Sequence, residues 1–184
     1  TAMTKKIVIT GGLGYIGTEL CKIYSGISWN NDILVIDNRF VSERVNQLRN
    51  WDIDFIHGDI LDKDLVNKYC EDADIVHHLA GITDVPRVKS DSSNDKDSKI
   101  KLVAEEGTQN ILDAISDKCK IIFPSTHIVY EGIEKVKNDI REDEHTKPVL
   151  SYASSKAINE KQLKNSGKNY IILRLGSVYG YSTD

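Results

Sequence analysis

The segment that most restricts this chain runs from Lys6 to Gly17. There a β-branched run, Lys6–Thr10, breaks directly into Gly11-Gly12-Leu13-Gly14-Tyr15-Ile16-Gly17. Glycines crowded behind a strand and ahead of an apolar helical period, here Ile16, Leu20 and Ile23, specify strand, tight turn and helix in that order. The first glycines permit the turn, Gly14 lets the backbone approach a pyrophosphate, and Gly17 lets the helix lie close on the sheet. The start of such a helix offers N–H groups without intrahelical partners and a partial positive charge, which suit phosphates.

The rest of the chain keeps the same alternation. Strands are expected at Lys6–Thr10, Ile33–Asp37, Ile53–His57, Ile75–Leu79, Ile121–Pro124 and Tyr170–Arg174. Most of these are near-continuous apolar runs, as in a parallel sheet covered on both faces. A longer helical period links Ile100, Val103, Gly107, Ile111 and Ala114. The expected fold is α/β, a Rossmann-type doubly wound parallel sheet with helices on both faces, built from right-handed crossovers. With Met3 read as the start residue, one domain is expected over 4–184. Two polar stretches interrupt the rhythm. The first part of Arg87–Lys101 reads as an exposed loop before the long helix, and Glu131–Pro148 reads as an insertion after the fifth strand. Loops at the carboxyl edge of a parallel sheet are where substrate contacts gather.

Charge removes one class of partner. Twenty-four Lys and Arg stand against 28 Asp and Glu, a net charge of -4, whereas a grip on nucleic acid needs a basic face. No apolar run approaches the roughly 20 residues of a membrane helix, so no membrane partner is expected. Cys21, Cys70 and Cys119 are odd in number and widely spaced. They read as buried thiols in a reducing compartment, and the expected location is cytoplasmic.

The glycine turn is answered by Asp37, at the end of the second strand. A carboxylate there accepts from adenosine ribose hydroxyls and repels a 2′-phosphate, so NAD is expected in preference to NADP. Arg39, two residues on, is the kind of residue that accommodates the extra phosphate, but here reads as an exposed arginine at a helix start. Gly58-Asp59-Ile60 closes the third strand and Leu79-Ala80-Gly81 the fourth. Asp59 can accept from the adenine amine, while Ala80 and Gly81 leave room beside it. The cofactor set is therefore Gly11, Gly14, Tyr15, Ile16, Asp37, Asn38, Asp59, Ile60, Leu79, Ala80 and Gly81, with Tyr152 and Lys156 at the nicotinamide end.

Tyr152 and Lys156 are four residues apart on the helix expected after the fifth strand, so they share one face. A tyrosine near pKa 10 is too weakly acidic to serve as a base at neutral pH, and a neighbouring ammonium brings the phenolate within range. Thr126, with Ser125 beside it, ends the fifth strand and supplies a hydroxyl for a reacting oxygen. No metal is expected. His77 and His78 are adjacent on a strand and so point to opposite faces, while His57, His127 and His145 are scattered.

Together these residues resemble the extended short-chain dehydrogenase/reductase family, the NAD-dependent epimerases and dehydratases that act mainly on nucleotide sugars. The likeness runs from Lys6 to Gly180 through the glycine turn, Asp37, Gly58-Asp59, Leu79-Ala80-Gly81, Ser125-Thr126, Val129-Tyr130, Tyr152-x-x-x-Lys156 and Arg174…Val178-Tyr179-Gly180. It implies hydride transfer at a hydroxyl-bearing carbon, with Tyr152 as acid/base, Lys156 on the nicotinamide ribose and Thr126 in the active-site Ser/Thr position. It also implies a small-molecule substrate, a nucleotide sugar or related sugar, near Thr83, Ser125, Thr126 and Ser177. The resemblance further implies a homodimer formed through two helices, one bearing the Tyr–Lys pair. A smaller substrate-gripping domain is expected to be missing or truncated after 184. Where dehydratases follow the active-site threonine with Asp-Glu, this chain has His127-Ile128, so hexose dehydration by that route is not expected. Ala104 and Ser177 stand where relatives often carry Asn. The rival reading is a protein that binds NAD as a sensor or scaffold without turnover.

Overall fold

Six parallel strands form one sheet in the order β3-β2-β1-β4-β5-β6, and the reversal of strand order between β1 and β4 opens a crevice at their carboxyl ends. The computed structural model describes residues 4–27, 30–81, 93–126 and 147–175, of which 93–97 and 147–152 are described by backbone alone. The strands are β1 (Lys5–Thr10), β2 (Asn31–Asp37), β3 (Asp54–His57), β4 (Ile75–His78), β5 (Lys120–Thr126) and β6 (Asn169–Leu175). Between them lie α1 (Tyr15–Ser25), α2 (Ser42–Asn50), α3 (Lys63–Cys70), α4 (Ser93–Ala114) and α5 (Lys147–Asn165).

The continuous apolar strands explain the two-sided cover, because side chains alternate between faces. Val8, Leu34 and Ile36 join one core with Val66 and Cys70 of α3, Ile111 of α4 and Leu163 of α5. Ile7, Ile9, Ile33 and Val35 join the other with Cys21 of α1 and Val45 and Leu48 of α2. The three cysteines are buried and unpaired by disulfides. Among the described residues no helix is long and apolar enough to cross a membrane.

The sheet departs from expectation in one place that matters. β5 continues two residues past Pro124, pairing Ser125 with Arg174 and Thr126 with Leu175 on β6. Its register with β4 ends at Ile122, so the missing N–H of Pro124 falls beyond the last pair on that side and breaks no ladder there. The strand therefore carries both hydroxyls to the rim of the crevice.

Candidate active site

A cleft of about 620 Å³ lies along the carboxyl edge of the sheet. One end is bounded by Asp37, Asn38 and Arg39, the middle by Gly11, Gly14, Tyr15 and Ile16, and the other end by Ser125, Thr126 and Lys156. Gly58, Asp59, Ile60, Leu79, Ala80 and Gly81 also line the wall. Apart from Tyr152, the whole expected cofactor set thus borders one space.

The glycine turn is shaped by contacts that no other residue would allow. Gly11 has φ +69, and a Cβ there would stand 2.7 Å from the Ala80 nitrogen. A Cβ on Gly17 would stand 2.5 Å from the Gly12 Cα. At the helix start Gly14 is the N-cap and brings no side-chain cap, and the first turn of α1 holds no acidic residue. That amide end is therefore electrostatically suited to an anion.

Asp37 is 5 % exposed and already has partners. One carboxylate oxygen accepts the Leu13 N–H at 3.0 Å and the other the Arg39 N–H at 2.9 Å. The Arg39 Nε stands 3.6 Å from the second oxygen. Arg39 is exposed, as expected, but it precedes α2 by three residues and borders the cleft instead of starting the helix. The carbonyl of Leu13 accepts from Arg44 of α2, so this one residue of the turn is held through both its N–H and its carbonyl. The Asp59 carboxylate accepts the Leu61 N–H at 3.0 Å, closing a local turn.

At the far end Lys156 is 6 % exposed. Its Nζ lies 4.5 Å from the centroid of the Phe123 ring, and burial pushes its ammonium down to about 8. Beneath it runs a buried polar chain. The hydroxyl of Thr10 accepts the Ala80 N–H at 3.1 Å and lies 2.8 Å from His78 Nδ1. His78 Nε2 lies 2.9 Å from the Thr108 hydroxyl, which accepts from Asn159 at 3.0 Å. Burial and the Lys156 charge hold His78 down to about 3, so the ring is neutral. His77 faces the other side of the sheet, 2.7 Å from the Tyr24 hydroxyl, and burial holds it down to about 4.

Ser125, which borders the cleft, is also tied to the helix behind it. Its hydroxyl donates to Glu160 at 2.9 Å, and Glu160 is 2 % exposed. Thr126 borders the cleft beside it. Tyr152 lies on α5, one turn before Lys156, with its side chain outside the described residues. Thr83, His127, Tyr130, His145 and Ser177 also lie outside them. Arg44, Thr10, Thr108, Asn159 and Glu160 carry structural work at the site that sequence reasoning passed over; the only hint was that Asn159 and Glu160 fall one turn after Lys156.

Known proteins share this fold and sequence pattern. The CDP-paratose 2-epimerase of Salmonella typhi is 29 % identical over 95 % of this chain and 58 % of its own length. The UDP-glucuronic acid 4-epimerase of Bacillus cereus, solved in complex with UDP-glucuronic acid and NAD, is 27 % identical with a TM-score of 0.69, over 95 % of this chain and 57 % of that one. The UDP-glucose 4-epimerase of Thermotoga maritima superposes with a TM-score of 0.71 at 23 % identity, over 97 % of this chain and 58 % of that one, which speaks to the fold alone. The chain spans about half the length of the curated relatives it matches. The sequence model of the NAD dependent epimerase/dehydratase family matches residues 7–184, and the chain belongs to that family.

Proposed function

We propose that this chain forms the NAD-binding half of an enzyme that remodels a nucleotide sugar by hydride transfer at a hydroxyl-bearing carbon. The observation that carries the reading is the single cleft joining the Gly11–Gly17 turn and Asp37 to Thr126 and Lys156. The residues present fit a dinucleotide. A Cβ at Gly14 would meet only the Gly11 carbonyl at 3.3 Å and Arg39 at 3.6 Å before projecting into the cleft, so glycine there keeps room for a pyrophosphate. The uncapped amides of α1 would hold the phosphates, and Asp37 would add the ribose hydroxyls to its two backbone donors. The small Ala80 and Gly81 leave space for the bases. When bound, NAD supplies the hydride acceptor at its nicotinamide ring.

The chain's own residues would move the proton. Tyr152 Oη takes it from the sugar hydroxyl, Lys156 Nζ stabilises the phenolate by its charge, and Thr126 Oγ1 holds the sugar oxygen. Similarity to epimerases of nucleotide sugars, among them the CDP-paratose and UDP-glucuronic acid enzymes, supports the substrate class. Calorimetric titration of this chain is expected to register NAD binding tighter than NADP, with Asp37→Ala narrowing the difference. In the protein that carries this chain, Tyr152→Phe is expected to lower nucleotide-sugar turnover by about 10²-fold or more. Silence in calorimetry at millimolar NAD overturns the cofactor assignment. Unchanged turnover in Tyr152→Phe overturns the acid/base assignment and favours a protein that binds without catalysis.

A further inference from the structure

Beyond its pairing with β4, which ends at Ile122, the carboxyl end of β5 has, among the described residues, a strand neighbour only in β6. Ser125 and Arg174 are register partners across that last ladder, and Glu160 of α5 binds both. Its Oε2 accepts the Ser125 hydroxyl at 2.9 Å. Its Oε1 accepts Arg174 Nη2 at 2.7 Å and Nε at 3.2 Å. Lys164, on the next turn of α5, stands 3.9 Å away and is largely exposed. Glu160 is 2 % exposed and is not among the residues that border the cleft.

A carboxylate taken out of water is costly unless every lone pair is used well. This one is surrounded by donors from three elements: Ser125 of β5, Arg174 of β6 and Lys164 of α5. Its sequence position gives the arrangement a purpose. Glu160 is one helical turn beyond Lys156, and Ser125 is one residue before Thr126. We infer that Glu160 is a positioning residue: by gripping Ser125 and Arg174 together it holds the Thr126 end of β5 in register with the helix that carries Lys156. Ser125 accordingly serves the site through its bond to Glu160.

This inference rests on the proposed roles of Thr126 and Lys156, and the test separates the two. Amide hydrogen exchange over 120–126 is read in the chain without ligand, while kcat and KM are read in the protein that carries it. The variants are Ser125→Ala, Glu160→Gln and the double variant Glu160→Met with Arg174→Met. The double variant replaces a buried ion pair by apolar side chains, a change such sites commonly tolerate in stability. Ser125→Ala and the double variant are each expected to speed exchange at the β5 end about tenfold and to lower kcat about tenfold, with KM for NAD unchanged. Glu160→Gln keeps the shape of the grip and is expected to recover most of the kcat lost in the double variant.

Wild-type exchange in Ser125→Ala overturns the inference. So does a folded double variant with wild-type kcat, and so does a kcat loss confined to Ser125→Ala, which would make Ser125 itself a substrate contact. If wild type binds no NAD, the proposed function fails, and the exchange comparison still decides whether Glu160 holds β5.

Discussion

Lys156 shows how much one buried side chain demands of its surroundings. Its ordinary value is 10.5, and removal from water brings it down to about 8. The ammonium therefore predominates at pH 7 and is half lost near pH 8. Because the folded value lies below the unfolded one, the unfolded chain binds more protons between the two, and the stability contributed by this group rises as pH rises from about 8 to 10.5. A Cε chemical-shift titration should give Lys156 a midpoint near 8 while exposed lysines titrate above 10; a midpoint above 10 for Lys156 would mean that water reaches it. At this scale sequence reasoning singled out Lys156, which borders the cleft, since a Tyr–Lys pair four apart is a local pattern. It did not find the Phe123 ring beneath Lys156 or the grip of Glu160 on Ser125. Ser125 and Glu160 are separated by 35 residues, and only the finished sheet brings them together. Asp37 was legible as the end of a strand, but its bond to Leu13, 24 residues earlier, was not.

The elements behave as their local sequence requires. Strand and helix alternation was readable because parallel strands buried on both faces are apolar throughout, and both cores draw on that run. The boundaries were less readable. β5 outran its expected end because pairing with β6 continues to Leu175, an influence from a segment some 50 residues away. Two glycines separate the needs of an element from those of the cleft. Gly17 packs α1 on the turn, and a Cβ there would sit 2.5 Å from the Gly12 backbone, so Gly17→Ala should cost roughly 1–3 kcal/mol by overpacking. Gly81 borders the cleft and a Cβ there would meet nothing within 4 Å among the described residues, so Gly81→Ala should leave the thermal midpoint within about a degree or two while weakening NAD binding. Chemical denaturation and calorimetry on the pair check this. A Gly81→Ala variant that loses stability without losing affinity would contradict the division.

Across the whole molecule, the two histidines of β4 tie the sheet to helices on opposite faces, His77 to α1 and His78 to α4. Both are held neutral by burial, at about 4 and about 3, against an ordinary 6.5. The sign follows directly. Above pH 6.5 they are neutral in both states, and as pH falls below it the unfolded chain takes up protons that the native chain refuses. Stability should therefore drop between pH 6.5 and 4 with up to about two protons taken up on unfolding from these groups. Denaturation midpoints followed across that range should show His77→Gln, which can still accept from Tyr24, lowering the uptake by about one. An unchanged slope would mean that His77 is already charged in the native protein.

The double hold on Leu13, with Asp37 on its N–H and Arg44 on its carbonyl, has a thermodynamic corollary. If the proposed cofactor's phosphates lie at that loop, they meet a backbone already held in place, and the entropy of ordering it is not subtracted from affinity. Association should be a one-step encounter without a slow isomerisation, and its heat-capacity change should match the contact area of a rigid socket.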